Sequence, residues 1–208
     1  MPFTGFHWKE KSRRACRNLD QHDFCFYMTL KHLHWEKAGT ETVVMRIKIL
    51  CVCIGTGAGS AFVENGKNGG KKRKRDVPEN GWIYQQPFGD SILDDYLSVR
   101  GLEQISLAVT GKVWSGKELY GLVKAGNMEA EEVWRRFGAD VAAGLLPVLE
   151  EYRPDLLLLG GQIAKDFSWF GKELERECGK RKIRIQIETE TSGRAMEGLL
   201  SQFPEKTQ

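Results

Sequence analysis

The sequence predicts an α/β fold for residues 45–208, and two observations carry this prediction. Short apolar segments rich in β-branched residues alternate with longer segments whose apolar residues recur on one helical face. Two of the apolar segments also end directly in glycine turns, as strands do at the ligand-binding edge of layered α/β proteins. A chain of 208 residues can bury a sizeable core, so one lobe of this kind fits the length.

Residues 1–44 form an atypical amino-terminal segment for which no structure is predicted. The segment holds all four histidines, and neither helical nor strand periodicity is sustained in it. Three interpretations stay open: a poorly ordered segment, the product of a shifted reading frame, and a zinc site. The zinc ligands would be imidazoles and thiolates, although their spacing matches no established finger; the candidates are His22, Cys25, His32 and His34.

The first predicted strand covers residues 43–54 and leads into a glycine turn at residues 55–60 (GTGAGS). A second apolar strand follows at residues 61–63, and Asn65-Gly66 is the strongest short signal for a hairpin. The basic run after it, residues 67–75, contains no apolar residue and is predicted to be a solvated loop. Because no aromatic side chain is interleaved with these charges, nucleic-acid binding is disfavoured.

The second half of the chain predicts helices that alternate with two strands. Asp94 and Asp95 lie at adjacent positions of the first helix, which diverge by about 100°, so they are interpreted as a solvated helix face. The first predicted helix runs from Asp90 or Ser91 to Leu102, the capping box Ser115–Glu118 begins a second, and a long third helix covers residues 129–152. A strand at residues 156–159 then ends in the turn Gly160-Gly161. A helix at 170–178, a strand at 183–187 and a final helix at 193–200 complete the predicted order.

Composition restricts the compartment and the partners. The net charge is +3, and no apolar stretch approaches the roughly 18 residues that a membrane span needs. The amino terminus does not resemble a signal peptide, so a cytoplasmic location and no membrane partner are expected. Five cysteines at irregular spacing do not form a disulfide framework and are interpreted as reduced thiols.

The two glycine turns are the candidate binding residues. Glycines let backbone amides approach an anion closely, and the hydroxyl of Thr56 can add a hydrogen bond. The second turn comes about one hundred residues after the first, again at the carboxyl end of a strand, so the two turns can clasp one nucleotide. The candidate cofactor-binding residues are Gly55, Thr56, Gly57, Gly59, Gly160 and Gly161.

This series of motifs resembles the carboxy-terminal lobe of ROK-family, glucokinase-like sugar kinases in the hexokinase and actin-like ATPase superfamily. In that family a GTGxG turn is the second phosphate loop, and a helix, a P-D strand (here from Pro154-Asp155) and a GG turn form the adenosine site. Residues 88–102 resemble the family's E-x-x-x-S-G-x-x-[IL] helix, and residues 193–198 resemble its terminal helix. The resemblance covers about residues 48–200.

The resemblance implies a ribonuclease H-like (actin-like ATPase) lobe, with a mixed sheet flanked by helices. It also implies ATP and Mg²⁺ as cofactors, a hexose as substrate and a possible homodimer. Complete relatives transfer the γ-phosphate of ATP to a hexose hydroxyl. Sugar-responsive repressors also belong to the family, so a non-catalytic regulator is the alternative; the helix-turn-helix of those repressors is not found before Lys48.

The departures from the family pattern matter as much as the matches. The family's first phosphate loop, D-x-G-G-T, and its N-D catalytic aspartate do not occur in the sequence, so no catalytic residue is assigned and a truncated or degenerate kinase is expected. The family's sugar-contacting G-H pair and zinc-binding cysteines are also absent, with no Cys or His between Cys53 and Cys178. No structural zinc is therefore expected.

Overall fold

The computed structural model describes residues 48–64, 67–68 and 83–189. The interpretations of the amino-terminal segment, of the basic run past residue 68 and of the final helix at residues 193–200 concern residues outside these ranges. Seven strands lie within the described residues: β1 (Lys48–Ile54), β2 (Ala58–Glu64), β3 (Lys67–Asn68), β4 (Pro87–Phe88), β5 (Ser91–Ile92), β6 (Leu156–Gly160) and β7 (Arg184–Ile187).

The main sheet is mixed and has the strand order β3-β2-β1-β6-β7. Strands β1, β6 and β7 run parallel, whereas β2 is antiparallel to both β1 and β3. Glu64 pairs with Lys67, which confirms the hairpin predicted from the Asn-Gly signal between them. Because β1 and β6 are parallel neighbours with Cys53 opposite Gly160, the two strands end at the same edge of the sheet.

Six α-helices lie in the described part of the chain, and one of them dominates the core. They are α1 (Leu93–Tyr96), α2 (Val99–Thr110), α3 (Gly116–Lys124), α4 (Met128–Tyr152), α5 (Phe167–Phe170) and α6 (Lys172–Lys180). The predicted one-faced apolar spacing of the long helix is confirmed, because the side chains on that face of α4 are fully buried: Val133, Phe137, Val141, Leu145 and Leu149.

Both faces of the central strand β1 are buried, as its almost continuous apolar sequence predicts. Leu50, Val52 and Ile54 pack with the helices in the main core cluster. Ile49 and Cys51 point to the opposite face, where a smaller cluster also includes residues of β2 and β6. The alternation of side chains along the strand separates these two sets.

Helix ends follow the local sequence signals. Ser115 accepts a hydrogen bond from the amide of Glu118, and the Glu118 carboxylate accepts one from the amide of Ser115, so the predicted capping box begins α3. Asn127 caps α4 by accepting from the Ala130 amide. Arg153 ends α4 in a left-handed conformation with a φ of 50°, one residue before the proline that precedes β6.

The helix predicted from Asp90 or Ser91 to Leu102 is wrong in its continuity. Ser91 lies in a strand, α1 ends after one turn, and Ser98 is extended with φ −151° and ψ 176° before α2 begins. The amide of Val99 donates to the carbonyl of Gly55 at 2.8 Å instead of to a helical carbonyl. A tertiary contact therefore replaces a local one and divides the segment. The helix predicted at residues 170–178 is likewise divided between α5 and α6.

Candidate functional site

The two predicted glycine turns lie against each other at one edge of the sheet. The Ile163 amide, just after the second turn, donates to the carbonyl of Ile54, just before the first turn, at 3.2 Å. Gly161 has a φ of +99°, and a Cβ atom there would lie 2.3 Å from the same Ile54 carbonyl oxygen. A Cβ on Gly55 would face the amide of Gln162 at 3.8 Å. Glycine therefore gives the two turns their close approach.

The first turn is held at both of its ends. Within the turn, the Gly55 amide donates to the Gly57 carbonyl at 3.0 Å. On one side, the Val99 amide at the start of α2 donates to the Gly55 carbonyl. On the other side, the Ala58 amide donates to Oδ1 of Asp94 at 2.6 Å. Thr56 at the tip is exposed, so its hydroxyl faces solvent at the sheet edge.

The interpretation of Asp94 as part of a solvated helix face is wrong. Its side chain is only 20% exposed, and besides accepting from Ala58 it forms an ion pair with Arg100 at 2.5 Å. The hydrogen bond and charge of Asp94 raise the pKa of the Arg100 guanidinium above its usual range. Asp95 is more exposed, contacts Arg100 at 3.3 Å and accepts a hydrogen bond from Ser91. Of the two neighbouring carboxylates, Asp94 is thus the one that contacts the glycine turn.

The candidate residues divide into turn and strand positions. Gly55, Thr56 and Gly57 form the first turn, and Gly161 begins the second. Gly59 and Gly160 instead lie inside β2 and β6, where both are buried and where each is paired with Cys53 of β1. Gly59, Cys53 and Gly160 are therefore neighbours on three adjacent strands, close to the edge of the sheet where the turns lie.

Asp94 and Arg100 were not among the residues singled out for binding. The sequence does contain a pattern that could have identified Asp94. When the E-x-x-x-S pattern is aligned on Ser98, its acidic position falls on Asp94. Arg100 carries no such signal, because its relation to the turn depends on the break between α1 and α2.

A thiol lies one position before the end of β1. Burial raises the pKa of Cys53 to about 11, so the group is protonated at neutral pH and is not a thiolate nucleophile. Cys53 and Cys178 are both free cysteines. Packing in the sheet is therefore the role that the structure gives to Cys53.

A small hairpin of β4 and β5 precedes α1. Pro87 pairs with Ile92 across it, and the rings of Phe88 and Tyr96 meet edge to face with centroids 4.9 Å apart. The Tyr96 hydroxyl also accepts a hydrogen bond from the Asp90 amide at 3.1 Å. Residues 48–64 and 83–189 contain no group of three His, Cys, Asp or Glu side chains that could hold a metal ion. The contacts of this hairpin are thus aromatic packing and hydrogen bonds.

Comparison with known proteins places the fold in a family. Residues 36–191, more than half of the chain, match the model of the ROK family. The chain is also 29% identical over 133 residues to the N-acetyl-D-glucosamine kinase of Haemophilus influenzae (strain 86-028NP). That alignment covers 56% of this chain and 44% of the kinase, so the chain spans less than half the length of this relative. None of the helices in the described ranges has the length and apolar character that crossing a membrane requires.

Solved structures share the fold at low sequence identity. The ROK family glucokinase from Streptomyces griseus, in complex with glucose and AMPPNP, aligns with a TM-score of 0.60 and 14% identity over 86% of this chain and 66% of its own. A ROK family transcriptional regulator, a homolog of the E. coli MLC protein, aligns with a TM-score of 0.59 and 14% identity over 85% of this chain and 50% of its own. The predicted ribonuclease H-like lobe is confirmed, and the chain belongs to the ROK family, whose sugar kinases it resembles.

Proposed function

We propose that the two glycine turns bind the adenine nucleotide of a sugar kinase site. The first turn, Gly55 to Gly57, would face the phosphates, and the second, which begins at Gly161 directly after Gly160 ends β6, would face the adenosine. The observation that carries the proposal is the contact between the turns at the carboxyl ends of two parallel neighbouring strands. Ligands of open α/β sheets bind at this position, outside the strand ends.

The chemistry of the first turn fits an anion. Neither Gly55 nor Gly57 lies in the left-handed region, so the turn itself does not demand glycine at these positions. Glycine at residue 55 instead keeps a side chain away from the Gln162 amide, which an added Cβ would contact at 3.8 Å, and this would let a phosphate or a ribose approach the backbone closely. Thr56 adds an exposed hydroxyl to the same surface.

ATP with Mg²⁺ is the proposed cofactor. Because the described residues contain no acidic cluster that could hold a cation by itself, Mg²⁺ would enter bound to the nucleotide phosphates. The proposed second substrate is a hexose. The support for both comes from relatives: one is an N-acetyl-D-glucosamine kinase, and the glucokinase structure holds glucose and AMPPNP.

Transfer of the phosphoryl group needs a carboxylate that accepts the proton of the sugar hydroxyl. Asp94 does not suit this role, because one oxygen accepts from a backbone amide and the other contacts Arg100. The strings D-x-G-G-T and N-D do not occur in the 208 residues. We therefore propose that this chain by itself binds nucleotide and phosphorylates a hexose slowly or not at all.

The direct test is calorimetric titration of the chain with ATP and Mg²⁺, comparing the wild type with Gly55→Val. The new Cβ would make an ordinary contact of 3.8 Å with the Gln162 amide nitrogen, and the two methyl groups of valine would take up further space beside the two turns. The matched control is Gly121→Val in helix α3, where no atom lies within 4 Å of an added Cβ.

The expected result is a saturable heat for the wild type and the control, and a loss of affinity of about tenfold or more for Gly55→Val. Equal affinities of wild type and Gly55→Val would reject the nucleotide site. Thermal unfolding of all three proteins shows whether each remains folded.

The regulator structure keeps a second function open, namely a binding module that responds to a sugar without catalysis. A hexose titration in the presence and absence of ATP separates the two proposals. Hexose binding that does not depend on ATP, without ADP formation, favours the regulator, whereas ADP formation on addition of a hexose favours the kinase.

A homodimer, proposed only from the family resemblance, is tested by analytical ultracentrifugation of the same samples.

A further inference from the structure

The first glycine turn depends on a carboxylate that lies far from it in sequence. Oδ1 of Asp94 accepts the amide hydrogen of Ala58 at 2.6 Å, across 36 positions of the chain. Hydrogen bonds between an ionised acceptor and a backbone amide are among the stronger ones in proteins. The contact fixes the residue that follows the turn, where β2 begins.

Gly57 leaves room for this carboxylate where it now lies. Its backbone is not left-handed, so the conformation alone would accept a side chain. A Cβ atom on Gly57, however, would lie 2.7 Å from Oδ1 of Asp94. The second glycine of the turn therefore makes room for the acidic side chain, whereas Gly55 keeps open the gap to the second turn.

A carboxylate beside a phosphate site would repel the ligand unless its charge were balanced. Arg100 offsets part of this charge, because its guanidinium contacts Oδ2 of Asp94 at 2.5 Å and the more exposed Asp95 at 3.3 Å. Arg100 is the second residue of α2, and the first residue of that helix, Val99, donates its amide to Gly55. The turn is thus held between one backbone amide and one charge-compensated carboxylate.

We infer that Asp94 is the positioning residue of the first glycine turn, that it acts by holding the Ala58 amide, and that Arg100 offsets its charge and so weakens the repulsion of a nucleotide phosphate. The part concerning the nucleotide rests on the proposed function. The part concerning the turn does not, because the hydrogen bond joins two groups of the chain itself.

The test uses Asp94→Ala, Asp94→Asn and the matched control Asp95→Ala, whose side chain contacts Arg100 and Ser91 but not the turn. Hydrogen exchange of the Ala58 amide, followed by NMR without nucleotide, measures positioning. Asp94→Ala should speed this exchange by about tenfold or more, because it removes a charged acceptor. Asp94→Asn keeps an oxygen acceptor and should restore the protection, and the control should exchange like the wild type.

Calorimetry with ATP and Mg²⁺ on the same proteins measures the nucleotide part. Asp94→Ala should lower the affinity by about tenfold, while Asp94→Asn restores it. Arg100→Gln should leave the exchange of the Ala58 amide unchanged but weaken ATP binding, with the larger loss at low salt, where an unbalanced carboxylate is least screened.

The outcomes separate the two levels of the inference. Equal exchange of the Ala58 amide in the wild type and Asp94→Ala overturns the positioning role, even when ATP binds. Asp94→Asn that behaves like Asp94→Ala also overturns it, because the hydrogen-bond acceptor would then not be the relevant feature. No heat with wild-type protein overturns the proposed function and the nucleotide role of the pair, but not the hold of Asp94 on the turn.

Discussion

Replacement of Gly161 by alanine tests how the two glycine turns are joined. The residue has a φ of +99°, and an added Cβ would lie 2.3, 2.7 and 2.8 Å from the carbonyl oxygen, the carbonyl carbon and the nitrogen of Ile54. Ordinary contacts of a Cβ atom begin at 3.4 Å, so the turn or the end of β1 must move by about 1 Å. Backbone atoms cannot rotate out of the way as a side chain can, so the movement must open the pairing of β1 with β6.

Two terms set the magnitude for Gly161→Ala. A side chain in this backbone region costs about 1–3 kcal/mol, and insertion of a methyl group into a packed contact costs about another 1–3 kcal/mol. The free energy of unfolding should therefore fall by about 2–6 kcal/mol, and at this chain length each kcal/mol lowers the unfolding temperature by about 2–4 °C. Gly111→Ala isolates the first term, because Gly111 has a φ of +71° but no atom within 4 Å of the added Cβ.

The assay is urea and thermal unfolding of the wild type and both variants, followed by circular dichroism. Gly111→Ala should lose about 1–3 kcal/mol, and Gly161→Ala should lose clearly more. Equal losses in the two variants would refute the argument that the turns are in backbone contact, since only that contact distinguishes them.

Three further predictions concern the rest of the lobe. Gly138→Ala in α4 should lower the free energy of unfolding by about 1–3 kcal/mol, because its Cβ would lie 2.0 Å from a backbone carbonyl oxygen of α5. Gly121→Ala, where no atom lies within 4 Å of the added Cβ, should instead raise it by up to about 1 kcal/mol. Urea unfolding of both variants measures the difference. Tyr96→Phe removes the hydrogen bond to the β4–β5 hairpin and should lower the free energy of unfolding by about 1 kcal/mol, as urea unfolding measures. Hydrogen bonds, first of all from Lys180, lower the pKa of Glu177 to about 2. The stabilising contribution of the Glu177 carboxylate is therefore complete above the unfolded pKa near 4.5 and is lost as the pH falls toward 2. Glu177→Gln should make the unfolding temperature less dependent on pH between these two values.

Local patterns predicted most of the elements because the forces behind them are local. The apolar stripe of α4, the capping box at Ser115 and the buried strand β1 depend on spacing within one segment, and the structure confirms all three. The meeting of the two glycine turns could also be expected, since turns that follow adjacent parallel strands lie at one edge of a sheet. The assignment of these glycines to a nucleotide remains a prediction.

The break before α2 and the role of Asp94 could not be predicted in the same way. Helical periodicity continues through Ser98, yet the Val99 amide bonds to Gly55, more than forty residues earlier. The same bend brings Asp94 onto the Ala58 amide and Arg100 onto Asp94. A single long-range contact therefore decided both the helix boundary and the surroundings of the turn.

The sequence by itself determined the layered α/β class, the strands that carry the glycine turns and the family resemblance. These features depend on the spacing of apolar residues and on the positions of glycines within short segments of the chain. Only the tertiary structure decided what each glycine does: Gly161 allows the approach of two backbones, and Gly57 leaves room for the Asp94 carboxylate in its hydrogen-bonded position. The physical reason is that a missing Cβ has meaning only in relation to the atom that would occupy its place, and that atom comes from a distant part of the chain.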